Sequence, residues 1–265
     1  MNVTSRFTEE MVSLAQSYSD DADEAAAPEG GGSFAEYAMV ALHGLRILLD
    51  ESYEMTIDRL EVMPPILDII GLEPDDLPHP STLNKWFDKI RIDVWRVLLR
   101  QSAQLHDPSD HVAVDATYYD RSRASKHYCQ RTNYRVQTLE ATKLVDTESQ
   151  AILDVHCTTT KEGSDAEVCA QLAADKGYDS QWLREKLREM GIRPLIKHRV
   201  HAPYDHAHNA RIDDDLYGQR AMTETVNSSV KRSLGVAVRA REWYREFREI
   251  VLMCLVYNIK RAVTQ

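Results

Sequence analysis

A chain of 265 residues, 43% of them apolar, is long enough for one large domain or for a principal domain with a smaller partner. The formal net charge of −10 argues against a uniformly basic nucleic-acid-binding surface, but it is unevenly spread: residues 1–110 hold 8 basic and 21 acidic groups, residues 111–265 hold 24 and 21. Cys129, Cys157, Cys169 and Cys254 form no CxxC pair, no apolar run reaches the roughly 18 residues of a membrane span, and no basic, apolar leader is visible, so the expectation is a soluble protein of a reducing cytoplasm.

Residues 1–33 end in the Pro/Gly/Ser-rich run AAAPEGGGS and read as a flexible N-terminal segment and linker. Residues 34–109 read as a helical region. Apolar residues recur at helical spacing from Phe34 to Leu49, and Pro64, Pro65, Pro74, Pro78 and Pro80 punctuate short helices after it. Ser81 is placed to cap a helix whose Leu83, Trp86, Phe87 and Ile90 fall at i, i+3, i+4 and i+7. With Lys85, Lys89 and Arg91, this region reads either as a helix-turn-helix for DNA or as a helical cap on the domain that follows.

After Asp110 the pattern changes to strands. HVAVDA is the first, Tyr134 to Leu144 the second and Ala151 to Thr159 the third, the last two forming a hairpin about DTESQ. A short fourth strand is expected at Gln171 to Ala174, a helix from Ser180 to Met190 closed by Gly191, and a fifth strand at PLIKH. This order predicts a mixed, five-stranded α/β sheet in residues 110–265, with Asp115 and Asp175 at strand ends.

YGQRAMTETVNSSVK, residues 217–231, reads as one helix. At about 100° per residue Tyr217, Arg220, Glu224 and Lys231 fall within roughly 60° of arc, opposite Met222, Val226 and Val230. Arg220 and Glu224 also suit an i, i+4 ion pair. Beyond it, Trp243, Phe247, Ile250, Cys254 and Tyr257 recur at helical spacing as core, and Arg239, Arg241, Arg245 and Arg248 are candidates to face DNA. Asp120, Asp179 and Asp213 to Asp215 read as solvated loop acids, the last three favouring a helix N-terminus. His198, His206 and His208 lack a metal-ligand spacing.

The Y-x2-R-x3-E-x6-K spacing, VAVDATYYD around Asp115, AADKGYDS around Asp175 and the basic, apolar C-terminal run together resemble the DDE transposases of bacterial and archaeal insertion sequences. The resemblance covers roughly Asp110 to the C-terminus. It implies a ribonuclease-H-like catalytic domain, with Asp115, Asp175 and Glu224 as catalytic residues and ligands of two Mg2+ ions, Mn2+ able to substitute. Asp115 would bridge both ions, and Tyr217, Arg220 and Lys231 would contact DNA. The implied partners are double-stranded DNA, at the element ends and the target, and a second copy of the chain on that DNA. In one respect the sequence departs from the family: only Lys161 to Gln171, eleven residues, joins the third strand to the fourth, where a parallel crossover needs about a dozen or more. Two alternatives therefore stay open: a degenerate, inactive copy that still binds DNA, and a metal-dependent nuclease without strand transfer.

Overall fold

Asn2 Oδ1 accepts the Ser5 N–H at 2.8 Å and so caps helix α1, Val3–Tyr18. This is the first difference from the sequence reading, which took residues 1–33 as flexible. The reason is apolar: Phe7, Met11, Val12 and Ala15 form a buried stripe along the helix. The computed structural model describes residues 2–19, 22–28, 32–107, 109–121, 131, 138–159, 181–189 and 191–265. The chain divides into two units, one of Met1–His106, Ser233–Gly235 and Glu242–Gln265, the other of Asp107–Arg232 and Val236–Arg241.

The first unit is helical: α1 is followed by α2, Glu36–Leu48, α3, Tyr53–Glu61, α4, Pro64–Ile70, α5, Pro80–Lys89, and α6, Ile92–Ala103. Pro64 opens α4, and Gly71, at φ +86°, closes it in the left-handed conformation. In α5 the expected apolar positions Leu83, Trp86, Phe87 and Ile90 are buried, but the cap is His79, whose ring accepts the Ser81 N–H, with Pro80 in the first turn. The C-terminal helix, Trp243–Thr264, was expected in the catalytic domain; it groups instead with these helices and contacts α1, α2 and α6. Within it Ile250, Cys254 and Tyr257 are buried as the spacing predicts, whereas Trp243 is exposed.

That C-terminal helix also carries a buried ion pair, Glu249 to Arg46 of α2 at 3.5 Å. Arg245 and Arg248 do not stand free for DNA: both pair with Asp88, and Arg248 donates to the carbonyls of Phe87 and Asp88 at 3.0 Å. They join the helix to α5.

In the second unit, β1, Val112–Asp120, β2, Thr138–Asp146, and β3, Ile152–Thr159, form an antiparallel sheet in the order β1-β2-β3. The β2–β3 hairpin forms where the sequence places it, and its turn is held by Asp146, which accepts from the N–H groups of Glu148 and Ser149. The expected five-stranded sheet is not seen among the described residues. The fourth strand, 171–174, and the crossover, 161–171, lie outside them; PLIKH, 194–198, is described and joins no ladder.

Helix α7, Gln181–Glu189, lies close to its predicted bounds, and Gly191 follows at φ +75°, a conformation that suits a residue without Cβ. Val114 and Leu144 face one side of the sheet, where they meet Leu183 and Leu187 of α7 and Ile196. Then come α8, Pro203–Asn209, whose first turn buries Asp205, α9, Asp214–Gly218, α10, Ala221–Leu234, and the C-terminal helix, α11. Among the described residues no helix is long and apolar enough to cross a membrane.

Candidate active site

The segment 217–231 is not one helix. Gln219 N–H bonds to Leu216 O, Arg220 N–H to Tyr217 O and Thr223 N–H to Arg220 O, so i→i−3 bonds tighten the chain into a turn between α9 and α10. Asp213 caps α9 by accepting from Asp215 and Leu216 N–H, the role the acidic run suggested. Tyr217 therefore sits on α9, Arg220 in the turn, and Glu224 and Lys231 on α10. The Tyr217 ring receives the Lys197 ammonium at 4.5 Å and lies 5.9 Å from the Arg220 guanidinium. Both Tyr217 and Arg220 line a cavity of about 360 Å3 that also takes in His111, Thr147, Arg193 and Gln219.

Thr223, Val226, Asn227, Val230 and Leu234 form the buried stripe of α10. Glu224 and Lys231 lie on the flank next to Asn227 rather than opposite the core. Glu224 is exposed and meets Arg220 at 3.8 Å, the i, i+4 pair foreseen in the sequence.

Three contacts set α10 beside the sheet. At its start Thr147 Oγ1 bonds both the His111 carbonyl and Gln219 Oε1, at 3.2 and 2.9 Å. In its middle Lys143 Nζ donates to Asn227 Oδ1 at 3.0 Å and to the Tyr119 hydroxyl at 2.8 Å. Near its end the Lys231 ammonium lies 5.2 Å from the centre of the Tyr119 ring. The helix thus runs in the same direction as β1, and Glu224, between Gln219 and Asn227, lies on the length that passes the first half of β1, where Asp115 is.

Asp115 is not at a strand end. It is the fourth residue of β1, half-buried, with Lys143 directly across the ladder. Directly opposed residues project to the same face, so Asp115, Tyr119 and Lys143 share the face that carries α10, while Val114 and Leu144 project to the α7 side. Asp175 lies outside the described residues, and among those described no three His, Cys, Asp or Glu side chains are grouped to hold a metal. The chemistry of the two described acids still fits a hard cation: both are carboxylates, one on the sheet face and one on the helix beside it.

Lys143 and Asn227 are the residues that sequence reading missed. In TLEATKLVD a lysine passes as one polar residue of an alternating strand, yet it is 0% exposed. The available signal was Asn227, three residues after Glu224 and four before Lys231, which shares their side of a helical wheel. Burial first and the Lys143 charge second pull the Lys231 pKa below the ordinary lysine value, against the opposing pull of Asp120. Asp120 is tied to the chain after α10 by bonds to Val236 and Val238.

Two of the histidines that lack a metal-ligand spacing, His198 and His208, join a structural knot around Asp205. His198 stacks on His208 at 3.7 Å and bonds Asp205, which also accepts from the His201 and Ala202 N–H groups. The His201 N–H first, and then His198, hold the Asp205 pKa at about 2.

Fold and site together describe a mixed helix and sheet protein, with Asp115 and Lys143 opposed on a β-sheet and Glu224 and Lys231 on the helix beside it. Residues 106–259 match the family described as Transposase DDE domain, and the chain belongs to that family. No curated protein matches the chain. Among solved structures it is similar to a Mos1 transposase paired-end complex with left transposon end, at 10% identity over 78% of this chain and 82% of that one, with a TM-score of 0.24.

Proposed function

We propose that this protein cleaves DNA at the ends of an insertion sequence and joins the released end to target DNA. Membership of the DDE transposase family over residues 106–259 carries the reading. Its supports are the half-buried Asp115 on β1 and the course of α10, which takes Glu224 past that half of the strand.

Asp115, Asp175 and Glu224 would hold two Mg2+ ions, or Mn2+ in their place. Such ions supply a nucleophilic water and charge stabilisation for the leaving oxygen. The chain's own residues do the rest. Arg220, in the turn before α10, offers a planar fork for a phosphate. Tyr217 presents a ring whose face already accepts a cation, as suits contact with a base or a phosphate-bound cation. Lys231, held half-buried against Tyr119, supplies a fixed point charge toward the DNA backbone.

DNA contacts fall to the second unit on charge grounds. The helical unit carries 12 basic and 22 acidic residues, the second unit 20 of each. Phosphate binding by the helical region would oppose its own field. That leaves the region 34–109 without a DNA contact, and the family resemblance implies a homodimer on DNA as the working assembly.

The test is Mg2+-dependent cleavage of a duplex carrying the DNA that flanks this gene, with Glu224→Gln as control. Cleavage and joining by the native chain, lost in the variant with DNA binding kept, is the expected result. Cleavage without joining would make the protein a nuclease, and binding without cleavage an inactive copy.

A further inference from the structure

Asn227 lies on α10, three residues after Glu224 and four before Lys231, and is only 5% exposed. Its carboxamide oxygen accepts from the Lys143 ammonium at 3.0 Å. An ammonium only donates, so this bond fixes the orientation of the amide: the oxygen faces Lys143 and the Nδ2 group points elsewhere. That Nδ2 group is shut off from solvent and meets no hydrogen-bond acceptor among the described residues. A buried N–H donor without an acceptor is costly, and such a group beside a site points to a partner gained in function.

Three residues earlier, on the same flank, stands a carboxylate that is loosely held. Glu224 is 61% exposed, and its pair with Arg220, at 3.8 Å, is of the weak surface kind. Residues three and four apart on a helix are neighbours, so Glu224 has Arg220 within reach four residues before it and Asn227 three residues after it.

We propose that Asn227 is a positioning residue for Glu224: its Nδ2 group takes one carboxylate oxygen when Glu224 turns from Arg220 toward the sheet face that carries Asp115, leaving the other oxygen for a metal ion. This rests on the reading of Glu224 as a metal ligand. The bond from Lys143 orients the amide before Glu224 arrives, so strand β2 sets the place of an acid carried on the helix. Hydrogen-bonded neighbours of a ligating carboxylate fix its direction, and their loss weakens metal binding. Arg220 and Asn227 thus hold Glu224 in two alternative positions, exposed without metal and turned inward with it.

The experiment titrates Mg2+ into the full chain without DNA and follows the Asn227 side-chain NH2 resonances, assigned through the Asn227 backbone. Mn2+ binding is measured beside it by the electron paramagnetic resonance of free Mn2+. The native resonances should move downfield as the ion binds, and in Glu224→Ala they should stay in place. Glu224→Ala should also bind Mn2+ at least tenfold more weakly. Mn2+ binding that is unchanged in this variant, or absent from the native chain, would remove the reading of Glu224 as a ligand in the DNA-free protein, and the proposal with it. With Glu224 established, resonances that do not move in the native chain, or that move equally in Glu224→Ala, overturn the proposal alone. Resonances that move only on addition of duplex DNA also overturn it, giving the donor to a phosphate. Asn227→Leu, close to Asn in volume, should bind Mn2+ about tenfold more weakly. Native Mn2+ affinity in that variant, with only its Tm lowered, would make Asn227 a core residue and overturn the proposal. Should Asn227→Leu not fold, the native resonances decide.

Discussion

Asp115 on β1 and Lys143 on β2 stand directly opposite each other in the sheet, and the Lys143 ammonium extends to Asn227 on α10 at 3.0 Å. A buried lysine thus faces the aspartate of β1 across the ladder and reaches from sheet to helix.

Glu224→Gln should separate chemistry from folding. The side chain is 61% exposed and its pair with Arg220 is long, so unfolding free energy should change by no more than about 0.5 kcal/mol. Cleavage should fall on the order of 100-fold or more, as when a group that stabilises transition-state charge is removed. Urea unfolding and a cleavage time course on the same preparation check both; full activity in the variant would exclude Glu224 as a ligand.

The Arg46–Glu249 pair in the helical unit has side chains only 3% and 4% exposed. Removing one partner leaves a buried charge uncompensated, so Glu249→Gln should cost about 3–5 kcal/mol in urea unfolding. Replacing both, as Arg46→Met with Glu249→Leu, should recover most of the loss. A double variant as unstable as the single one would show that the pair itself, rather than the orphaned charge, matters.

His43 should make the fold acid-sensitive. Burial first, with Arg46 and Arg245 adding to it, pulls its pKa well below 6.5 in the folded chain, and the rings of Tyr53, Phe87 and Trp95 surround it. The unfolded chain then takes up a proton that the folded chain refuses, so stability is full above about pH 6.5 and falls as pH drops, by up to about 1.4 kcal/mol per unit. His43→Leu should flatten that slope between pH 6.5 and 5, as measured by unfolding across the range.

Asp146 is 1% exposed and accepts five hydrogen bonds, from Ser109 N–H and Oγ, Glu148 N–H, and Ser149 N–H and Oγ. Burial pushes its pKa up, but the bonds from Ser149 and Ser109 outweigh it and hold the carboxyl below its ordinary value. The stabilisation is therefore present above the unfolded value near 3.9 and is lost as pH falls through the lower folded one. Asp146→Ala should cost about 2–4 kcal/mol at neutral pH, and acid titration of its unfolding should show a shallower limb than that of the native chain.

Much of the second unit was legible in the sequence because its signals are local. Alternation in 138–159 about the DTESQ turn predicts the hairpin, and the 181–189 helix is bounded by a glycine that needs a left-handed backbone. The Arg220–Glu224 pair follows from helical spacing alone. Local signals also misled. A fourfold polar face suggested one helix from 217 to 231, but i→i−3 bonds break it at Gln219 and Arg220, which no periodicity marks.

The sequence by itself determined the family, the hairpin and the apolar stripes of α5 and α11, because each is written in the types and spacing of neighbouring residues. Only the tertiary structure decided that α1 is a core helix, that α11 groups with the N-terminal helices, that Arg245 and Arg248 serve α5, and that Lys143 is buried opposite Asp115. Those outcomes depend on which distant surface covers a residue. A lysine in a strand and an arginine on a helix look the same in sequence whether they meet water, DNA or a carboxylate, and packing alone selects among the three.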